Sequence, residues 1–414
     1  MTQCMGRRLR RTEMKAVGIV CEYNPFHLGH LYHLELIRKN CGEEAVLLCV
    51  LSGDFVQRGE PAAISKFARA ESALRCGADL VVELPSIWSM QSAEGYAGAA
   101  VGIMASMGVK SISFGTETDC FEALEEIAQI LTGKAFETEL SDAVKKNSAM
   151  SYPALREEIL RKFAGEKAAL LRTPNNILAV EYMKAVKKNS YDISFLPVQR
   201  RGAEHDRRST GAVRSASELR KMLLSGENIS AFVPEASFMV ISGEIGKGRA
   251  PVSSASMEQA LLARLRGLDH DDFIRVKDCD EELASRMIKA VYGSCSFENI
   301  CAAAKTKKYT LSRIRRVCLC ACLDITESMQ QGMPPYIRVL AADSKGQAYI
   351  RQIRKEDPSL PVAVKAADIL QMGEICRKAM LKDSAVHDIY VLGYSSQEER
   401  ICGMDFRRSP LMLH

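Results

Sequence analysis

The sequence predicts a doubly wound α/β fold with a parallel sheet, followed by a helical middle region and a small α/β C-terminal module. Two observations indicate this fold. Short continuous apolar runs recur through the first half of the chain, as in strands that are buried on both faces. Stretches with helical periodicity separate these runs, and strands that alternate with helices form parallel sheets covered on both sides.

The predicted elements follow one another along the first half of the chain. The strands are predicted at residues 15–21, 45–51, 79–84, 111–114 and 192–198. Helices are predicted from about residue 27 or 28 to 40, at 65–76 and at 91–107, and residues 121–171 are helical and charged. Thr173-Pro-Asn-Asn176 is a good start for a further helix over residues 177–185.

Changes in pattern divide the chain into four segments. We expect residues 1–13 to be a disordered extension, or to precede a natural start at Met14, because they have no apolar stretch that would make them a secretory signal. Residues 14–225 form the α/β domain, residues 226–332 the helical region and residues 333–414 the C-terminal module.

Composition excludes several classes of protein. The 414 residues carry a net charge of only +5, so a nucleic-acid surface would have to be a local patch. No apolar stretch reaches the length of a membrane span. The 14 cysteines are scattered without a CxxC pair, and Cys318, Cys320 and Cys322 would spread around a helix, so we expect reduced thiols in a cytoplasmic protein rather than a metal site.

The strongest functional signal is the run EYNPFHLGHL at residues 22–31, directly after the first predicted strand. Ligands of open parallel sheets bind beyond the carboxyl ends of the strands. Gly29 lets the backbone approach a phosphate, and the helix start that follows favours anions. His27 and His30 are three positions apart and so face the same side of the first turn, where paired imidazoles predict catalytic hydrogen bonds to a phosphorus transition state. The alternative is a helix-capping turn with two surface histidines.

Other polar positions have two interpretations each. Gly53 follows the second strand, where it lets a substrate lie close to the backbone or forms a plain turn. Gly115 ends the fourth strand, where the backbone commonly meets a nucleotide base or ribose. Asn175 offers a hydrogen bond to a ribose or base, or caps a helix. Lys66 and Arg69 lie one turn apart and contact phosphate or RNA, or belong to a solvated helix face.

Five runs occur in an order that is shared with one known family. They are residues 18–31 (GIVCEYNPFHLGHL), 52–61 (SGDFVQRGEP), 83–85 (ELP), 114–117 (FGTE) and 174–178 (PNNIL). The first resembles the H-x-G-H signature of the nucleotidyltransferase superfamily, and all five together resemble the bacterial tRNA(Met) cytidine acetate ligases. The likeness runs from Met14 to about Met222 and continues more loosely to the end of the chain.

The resemblance implies a Rossmann-like nucleotidyltransferase domain and a two-step activity. Members of that family convert acetate and ATP to acetyl-adenylate, and then acetylate the wobble cytidine of elongator tRNA(Met) to N(4)-acetylcytidine. ATP would be a substrate, with Mg²⁺ on its phosphates and no dedicated metal site in the protein. Leu28 stands where the family often has Asn, and Ala179 where Gly is usual, which alters local contacts only.

The nucleotide contacts are carried over by matching motif. The predicted ATP-binding residues are Val20, Cys21, Glu22, Tyr23, Asn24, Pro25, Phe26, His27, Leu28, Gly29, His30, Leu31, Tyr32, His33, Gly115, Asn175, Arg200, Arg201, Ser215 and Arg220. Arg200 and Arg201 precede a glycine, where an arginine can fork onto a phosphate. Residues 215–220 have the spacing of a superfamily element whose serines, helix amides and arginine hold the β- and γ-phosphates, although an ordinary capped helix is the alternative.

A basic run in the helical region is the candidate tRNA surface. Its cations are Lys305, Lys307, Lys308, Arg313, Arg315 and Arg316. They surround Tyr309, and cations with an aromatic ring suit backbone phosphates and a stacked base. A solvated helix face explains the run without RNA, and the resemblance favours tRNA.

Two rival functions fit the same residues. A small-molecule adenylyltransferase would use the same histidines without an RNA surface, but the length of chain beyond Met222 counts against it. A non-catalytic tRNA- or ribosome-associated protein would have lost the reaction, which the intact pair of histidines argues against.

Overall fold

The computed structural model describes residues 14–146, 150–199 and 214–413. The strands are β1 (Ala16–Cys21), β2 (Val46–Ser52), β3 (Phe55–Val56), β4 (Glu60–Pro61), β5 (Leu80–Leu84), β6 (Ser111–Thr116), β7 (Ser194–Gln199), β8 (Ile337–Ala342), β9 (Val362–Ala363) and β10 (Leu411–Met412). The helices of the first half are α1 (Leu28–Cys41), α2 (Lys66–Arg75), α3 (Ser86–Ser89), α4 (Ala93–Ser106), α5 (Phe121–Leu131), α6 (Lys134–Lys146), α7 (Tyr152–Ala164) and α8 (Pro174–Lys188).

The second half is mostly helical. Its helices are α9 (Ala216–Leu224), α10 (Glu235–Gly246), α11 (Glu258–Leu265), α12 (His270–Ile274), α13 (Glu281–Gly293), α14 (Phe297–Ala304), α15 (Leu311–Cys322), α16 (Ser344–Glu356), α17 (Ala366–Ile369), α18 (Glu374–Tyr390) and α19 (Met404–Arg407). Short 3₁₀ segments lie at Gly165–Arg172, Ser230–Phe232, Glu327–Gln330 and Val391–Gly393.

One sheet organises the fold, with strand order β10-β8-β5-β2-β1-β6-β7 and β9 beside β8. The pairs within β5-β2-β1-β6-β7 are parallel, as predicted from the apolar runs. The pair β5–β8 is antiparallel, which the sequence did not indicate. The short strands β3 and β4 form a separate antiparallel hairpin directly after β2, and neither was among the predicted strands.

Both faces of the sheet are covered. Along β2, Val46, Leu48 and Val50 belong to one buried apolar cluster, while Leu47, Cys49 and Leu51 belong to another. Alternate residues of a strand point to opposite faces, so the two clusters lie on opposite sides of the sheet. Helices α4 and α8 pack in the first cluster and helices α1 and α2 in the second, which confirms the predicted double winding.

The sheet has a switch in strand order at β1. From β1 the chain moves to β2 and β5 on one side, and later to β6 and β7 on the other side. The connections after β1 and β6 therefore diverge, and a crevice opens between the carboxyl ends of these two strands. The run at residues 22–31 lies at this crevice.

The C-terminal segment is joined to the first domain through the sheet. Strand β8 pairs with β5, and β10 pairs with β8. Between residues 226 and 332 the described chain contains helices and no strand, in line with the predicted helical region. The domain boundaries after residues 225 and 332 stay predictions.

Most thiols of the helical region act as small apolar side chains. Cys301, Cys318, Cys320 and Cys322 are buried in the apolar cluster around α14 and α15. No helix among the described residues is long and apolar enough to cross a membrane.

Candidate active site

The turn between β1 and α1 is fixed by three other parts of the chain. The side-chain oxygen of Asn24 accepts the N–H of Ala63 at 2.9 Å. The Ser237 hydroxyl in α10 donates to the carbonyl of Phe26 at 3.1 Å. The Arg220 guanidinium in α9 donates to the carbonyl of Asn24 at 3.1 Å. These contacts hold the backbone of the turn in one conformation.

His27 and His30 cap the N-terminus of α1. Nδ1 of His27 accepts the N–H of Gly29 at 3.0 Å, and Nδ1 of His30 accepts the N–H of His27 at 3.2 Å. The two rings stack with their centroids 3.7 Å apart, so the predicted juxtaposition is confirmed. Because both Nδ1 atoms are acceptors, each neutral ring carries its proton on Nε2. The pair thus provides two N–H donors at the positive end of the helix dipole.

Buried aromatic side chains hold this pair of rings. Tyr23 and Phe26 are almost completely buried, and their ring centroids lie 4.8 and 5.6 Å from that of His30. Nε2 of His33, one turn further along α1, lies 2.8 Å from the hydroxyl of Ser113 in β6. Helix α1 is therefore tied to the strand on the other side of the crevice.

Arg69 has a structural role that sequence reasoning did not find. Its side chain is buried and donates to four carbonyls, those of Glu22 at 2.7 Å, Ser52 at 2.9 Å, Gly53 at 2.6 Å and Ile64 at 2.8 Å. The interpretation of Arg69 as a phosphate, RNA or solvated residue is wrong. Its guanidinium instead joins the segments that leave β1 and β2 at the edge of the crevice.

Lys66 is also buried, at the centre of a charged cluster. Its Nζ lies 2.6 Å from Glu83, 3.0 Å from Asp405, 3.2 Å from Asp383 and 3.9 Å from Asp54. Phosphate contact and a solvated face are therefore both wrong for this residue. The cluster joins α2 and β5 to the C-terminal helices α18 and α19. Its carboxylates balance the buried charge of Lys66, which water cannot reach.

Two further basic groups complete this cluster. Arg338 in β8 pairs with Glu83 at 3.2 Å and also contacts Asp405, and Nδ1 of His387 in α18 lies 2.7 Å from Asp54. Burial lowers the pKa of His387, but the neighbouring Asp54 outweighs this effect and leaves the pKa raised.

Gly53 lacks a side chain for a reason other than ligand access. A Cβ at this position would lie 2.5 Å from the hydroxyl oxygen and 2.7 Å from the backbone nitrogen of Ser86. The close approach of α3 therefore requires glycine, and the suggestion that Gly53 makes room for a substrate is not supported by its neighbours.

The end of β6 and the start of α8 are joined by a carboxylate. Glu117, two residues after Gly115, accepts the backbone N–H groups of Asn175 and Asn176 at 3.3 and 3.0 Å, and also contacts the side-chain amide of Asn175. Asn175 is therefore held at the carboxyl end of β6, and its contact with a nucleotide stays a prediction. Its side chain is held by Glu117, whose charge occupies the N-terminus of α8.

Of the predicted phosphate-binding arginines, Arg220 reaches the turn. Its second nitrogen, Nη2, donates to Ser217 at 3.1 Å and lies 3.8 Å from Glu60. The hydroxyl of Ser215 caps α9 and donates to the Glu218 carboxylate. It therefore acts as an ordinary helix cap, which was the alternative to phosphate binding. Arg200 and Arg201 lie outside the described residues.

The β3–β4 hairpin connects the turn to the basic helix α15. The N–H of Gln57 donates to Oε1 of Glu22 at 3.1 Å, and the carbonyl of Gln57 accepts from Arg316 at 3.5 Å. Glu60 contacts Arg315 at 2.5 Å. Sequence reasoning treated residues 52–61 as a motif and missed these contacts, because their partners lie far away along the chain.

The predicted basic run divides into two groups. Lys305 and Lys307 are exposed. Lys308, Arg313, Arg315 and Arg316 each lie within 4 Å of acidic side chains. An exposed patch for an anionic partner is therefore narrower than the sequence suggested.

Tyr309 is not placed to stack on a base. Its ring is buried, and its hydroxyl donates to Asp280 at 2.6 Å. Lys308 and Arg313 lie over the ring, with their charged groups 4.8 and 4.9 Å from its centroid. The ring instead holds these two cations in place.

Within the described part of the chain, no group of three or more His, Cys, Asp and Glu side chains could hold a metal ion. A divalent ion in this crevice would therefore rely on phosphate oxygens of a nucleotide for most of its ligands. Its presence there stays a prediction.

The chain is similar to proteins of one kind along nearly its whole length. The family model described as HIGH Nucleotidyl Transferase matches residues 14–403. The tRNA(Met) cytidine acetate ligase of Thermosipho africanus is 33% identical over 95% of this chain and 99% of its own length. The protein of the same name from Acetivibrio thermocellus is 32% identical over 97% of this chain and 100% of its own length.

Solved structures give the same result. The crystal structure of Thermotoga maritima TmcAL bound with alpha-thio ATP superimposes with a TM-score of 0.88, at 32% identity, over 97% of this chain and 100% of that chain. Its apo form superimposes with a TM-score of 0.89 over the same shares. Sequence, fold and the histidine turn agree, and this chain belongs to the tRNA(Met) cytidine acetate ligase family of HIGH nucleotidyltransferases.

Proposed function

We propose that this chain activates acetate with ATP and transfers the acetyl group to the wobble cytidine of elongator tRNA(Met), forming N(4)-acetylcytidine. The stacked pair His27–His30 at the strand-order switch carries this proposal. The names of the similar proteins supply the two substrates, acetate and tRNA(Met). The nucleotide analogue bound to the Thermotoga maritima protein supports ATP as the third.

In the first step a carboxylate oxygen of acetate attacks the α-phosphorus of ATP. The new phosphorus–oxygen bond forms as the bond to pyrophosphate breaks, and the products are acetyl-adenylate and pyrophosphate. Negative charge builds up on the oxygens of the α-phosphate in the transition state. The Nε2–H groups of His27 and His30 donate to these oxygens, and no side-chain nucleophile is required.

In the second step the exocyclic amine of cytidine attacks the acetyl carbonyl. The new carbon–nitrogen bond forms as the bond to AMP breaks, and the amine loses a proton. The wobble base must leave the stack of the anticodon loop to reach the anhydride. We assign the work of holding the RNA to the helical region at residues 226–332.

Arg220 is proposed to bind the β- and γ-phosphates, with Arg200 and Arg201 as further candidates. Because Arg220 already contacts the turn at Asn24, Arg220→Ala is expected to raise the KM for ATP by about 10- to 100-fold in acetate-dependent pyrophosphate exchange. Arg214→Ala removes an exposed arginine just before the same helix and should leave the KM for ATP unchanged. Equal KM values for both variants would contradict the phosphate role.

Lys305 and Lys307 are proposed to contact tRNA phosphates. The double variant Lys305→Ala/Lys307→Ala is expected to weaken tRNA(Met) binding, and to reduce the slope of log affinity against log salt by about one to two. Lys378→Ala, at an exposed lysine of α18, serves as the control. Unchanged affinity and salt slope in the double variant would show that the RNA lies elsewhere.

One experiment separates the proposed function from its rivals. The chain is incubated with ATP, Mg²⁺, labelled acetate and tRNA(Met) transcript. We expect acetate-dependent release of pyrophosphate and label in the RNA. Release that requires a phosphorylated metabolite in place of acetate would support a small-molecule adenylyltransferase, and no turnover would support a binding protein.

A further inference from the structure

The second step needs a group that accepts the proton lost by the attacking amine. The lone pair of this amine is delocalised into the cytosine ring, so attack on the acetyl carbonyl is helped by a base that removes the proton. The two histidines of the turn do not suit this task in their neutral form, because Nδ1 of each already accepts a backbone N–H. Carboxylates at the strand ends are the next candidates.

Three of the carboxylates near the crevice are already committed to partners. Asp54 accepts the N–H of Lys66 at 2.7 Å and contacts His387 at 2.7 Å. Glu60 is paired with Arg315 and lies 3.8 Å from Arg220. Both oxygens of Glu117 accept N–H groups at the start of α8.

Glu22 differs from these three. Its Oε1 accepts the N–H of Gln57 at 3.1 Å, and no described residue forms a hydrogen bond or ion pair with its Oε2. It is the first residue after β1, at the carboxyl end of the central strand, and the side chain is partly exposed. One oxygen therefore fixes the carboxyl group, and the other is available to a substrate.

The position of Glu22 also suits an RNA substrate. Gln57 donates its N–H to Glu22, and its carbonyl accepts a hydrogen bond from Arg316 in α15. Glu22 thus lies between the histidine turn and α15, the helix that follows Lys305 and Lys307 along the chain.

We propose that the Oε2 atom of Glu22 is the catalytic base that removes a proton from the exocyclic amine of cytidine as the carbon–nitrogen bond forms. The proton moves to the carboxylate, the amine's electron pair forms the amide bond, and the bond between the acyl carbon and AMP breaks with its electrons on the phosphate. The proton then leaves to solvent. This assignment rests on the proposed function.

The surroundings of Glu22 favour proton acceptance by its carboxylate. Burial raises the pKa of Glu22, and the nearby Arg220, the N–H of Gln57, Arg69 and Arg58 offset only part of this rise. Tyr96 and Tyr182 face it from α4 and α8, and Cys21 precedes it in the chain; burial raises the pKa of each of these three groups, so they stay neutral. A carboxylate with a raised pKa accepts a proton more readily than an ordinary one.

The test isolates the second step by supplying acetyl-adenylate and tRNA(Met) transcript to the full chain and measuring single-turnover transfer. Glu22→Gln preserves an oxygen that can accept the N–H of Gln57, so we expect it to fold and to bind tRNA normally, while the rate falls by about 100-fold. The wild-type rate should fall as the pH drops through the raised pKa of Glu22, and Glu22→Gln should lose this dependence. Glu22→Asp should recover part of the rate.

The outcomes separate this inference from the proposed function. Transfer by Glu22→Gln within about threefold of wild type, with the acidic limb of the pH profile retained, would overturn the assignment of the base. A rate loss with an unchanged pH profile would also overturn it, since that pattern indicates a structural effect. No transfer by the wild-type chain from acetyl-adenylate would instead refute the proposed function.

Discussion

His27→Asn is expected to reduce acetate-dependent pyrophosphate exchange by about 100- to 1,000-fold without unfolding the protein. The reason is that asparagine is a favourable N-cap residue, and its side-chain oxygen can accept the Gly29 N–H that Nδ1 of His27 accepts now. The substitution keeps the cap and removes the Nε2–H donor. Loss of ring packing against His30 should cost about 1 to 2 kcal/mol of unfolding free energy at most.

This variant separates catalysis from helix capping. Exchange of labelled pyrophosphate into ATP gives the rate, and thermal denaturation gives the stability. His270→Asn, at the start of α12, is the matched control and should leave the exchange rate unchanged. If His27→Asn exchanged pyrophosphate at the wild-type rate, the histidine would be a cap alone and the proposed role in the transition state would be wrong.

Lys66→Met is expected to have the largest effect on stability. The methionine side chain is similar in length to lysine but carries no charge. Glu83, Asp383 and Asp405 therefore lose the cation that they share. Breaking a buried charge pair in this way costs about 3 to 5 kcal/mol, a large part of the total stability of a domain. Chemical or thermal denaturation measures the loss.

A control and a pH series sharpen this prediction. Arg75→Met removes an exposed ion pair from the same helix and should cost less than about 1 kcal/mol. Burial raises the pKa of Asp383 from 3.8 to about 7, so the folded protein binds a proton there more strongly than the unfolded chain, and its stability falls as the pH rises between these two values. Without Lys66, Asp383 loses its cation while Arg338 remains beside Glu83 and Asp405, so the carboxylates as a group should be protonated even more readily. The deficit of Lys66→Met should therefore shrink as the pH falls, and a deficit that grew instead would contradict this account.

The elements around the crevice could be predicted from sequence because their signals are local. The apolar runs that became β1, β2, β5 and β6 are continuous, as in strands buried on both faces. The spacing of His27 and His30 fixed their common direction on the first turn of α1. The relation of β8 to β5 could not be read in this way, since Leu80 pairs with Ala342 and no local pattern selects that edge or the antiparallel direction.

The sequence did not indicate which charged residues are buried. Lys66 and Arg69 have the spacing of an exposed helix face, and their partners are carbonyls and carboxylates from other segments, Asp383 being 317 positions away from Lys66. Tyr309 looked like a stacking platform because it stands among cations, yet these cations cover its ring. A motif shows which residues belong together, but not which of them water reaches.

Glu22 illustrates the same limit at the site itself. It was grouped with the other residues of the turn as a nucleotide contact, because it lies within the run at residues 22–31. What distinguishes Glu22 from those residues is the hydrogen bond that its carboxylate accepts from Gln57, which lies 35 positions further along the chain. The β3–β4 hairpin that brings Gln57 there was not among the predicted strands.

The central claim is that the turn after β1 holds the reacting phosphate beside the two stacked imidazoles. A crystal structure of this chain with a non-hydrolysable ATP analogue tests it most directly. We predict that Nε2 of His27 and Nε2 of His30 lie about 3 Å from oxygens of the α-phosphate. An analogue bound away from residues 22–31, or histidine rings turned away from its phosphates, would contradict the proposed mechanism.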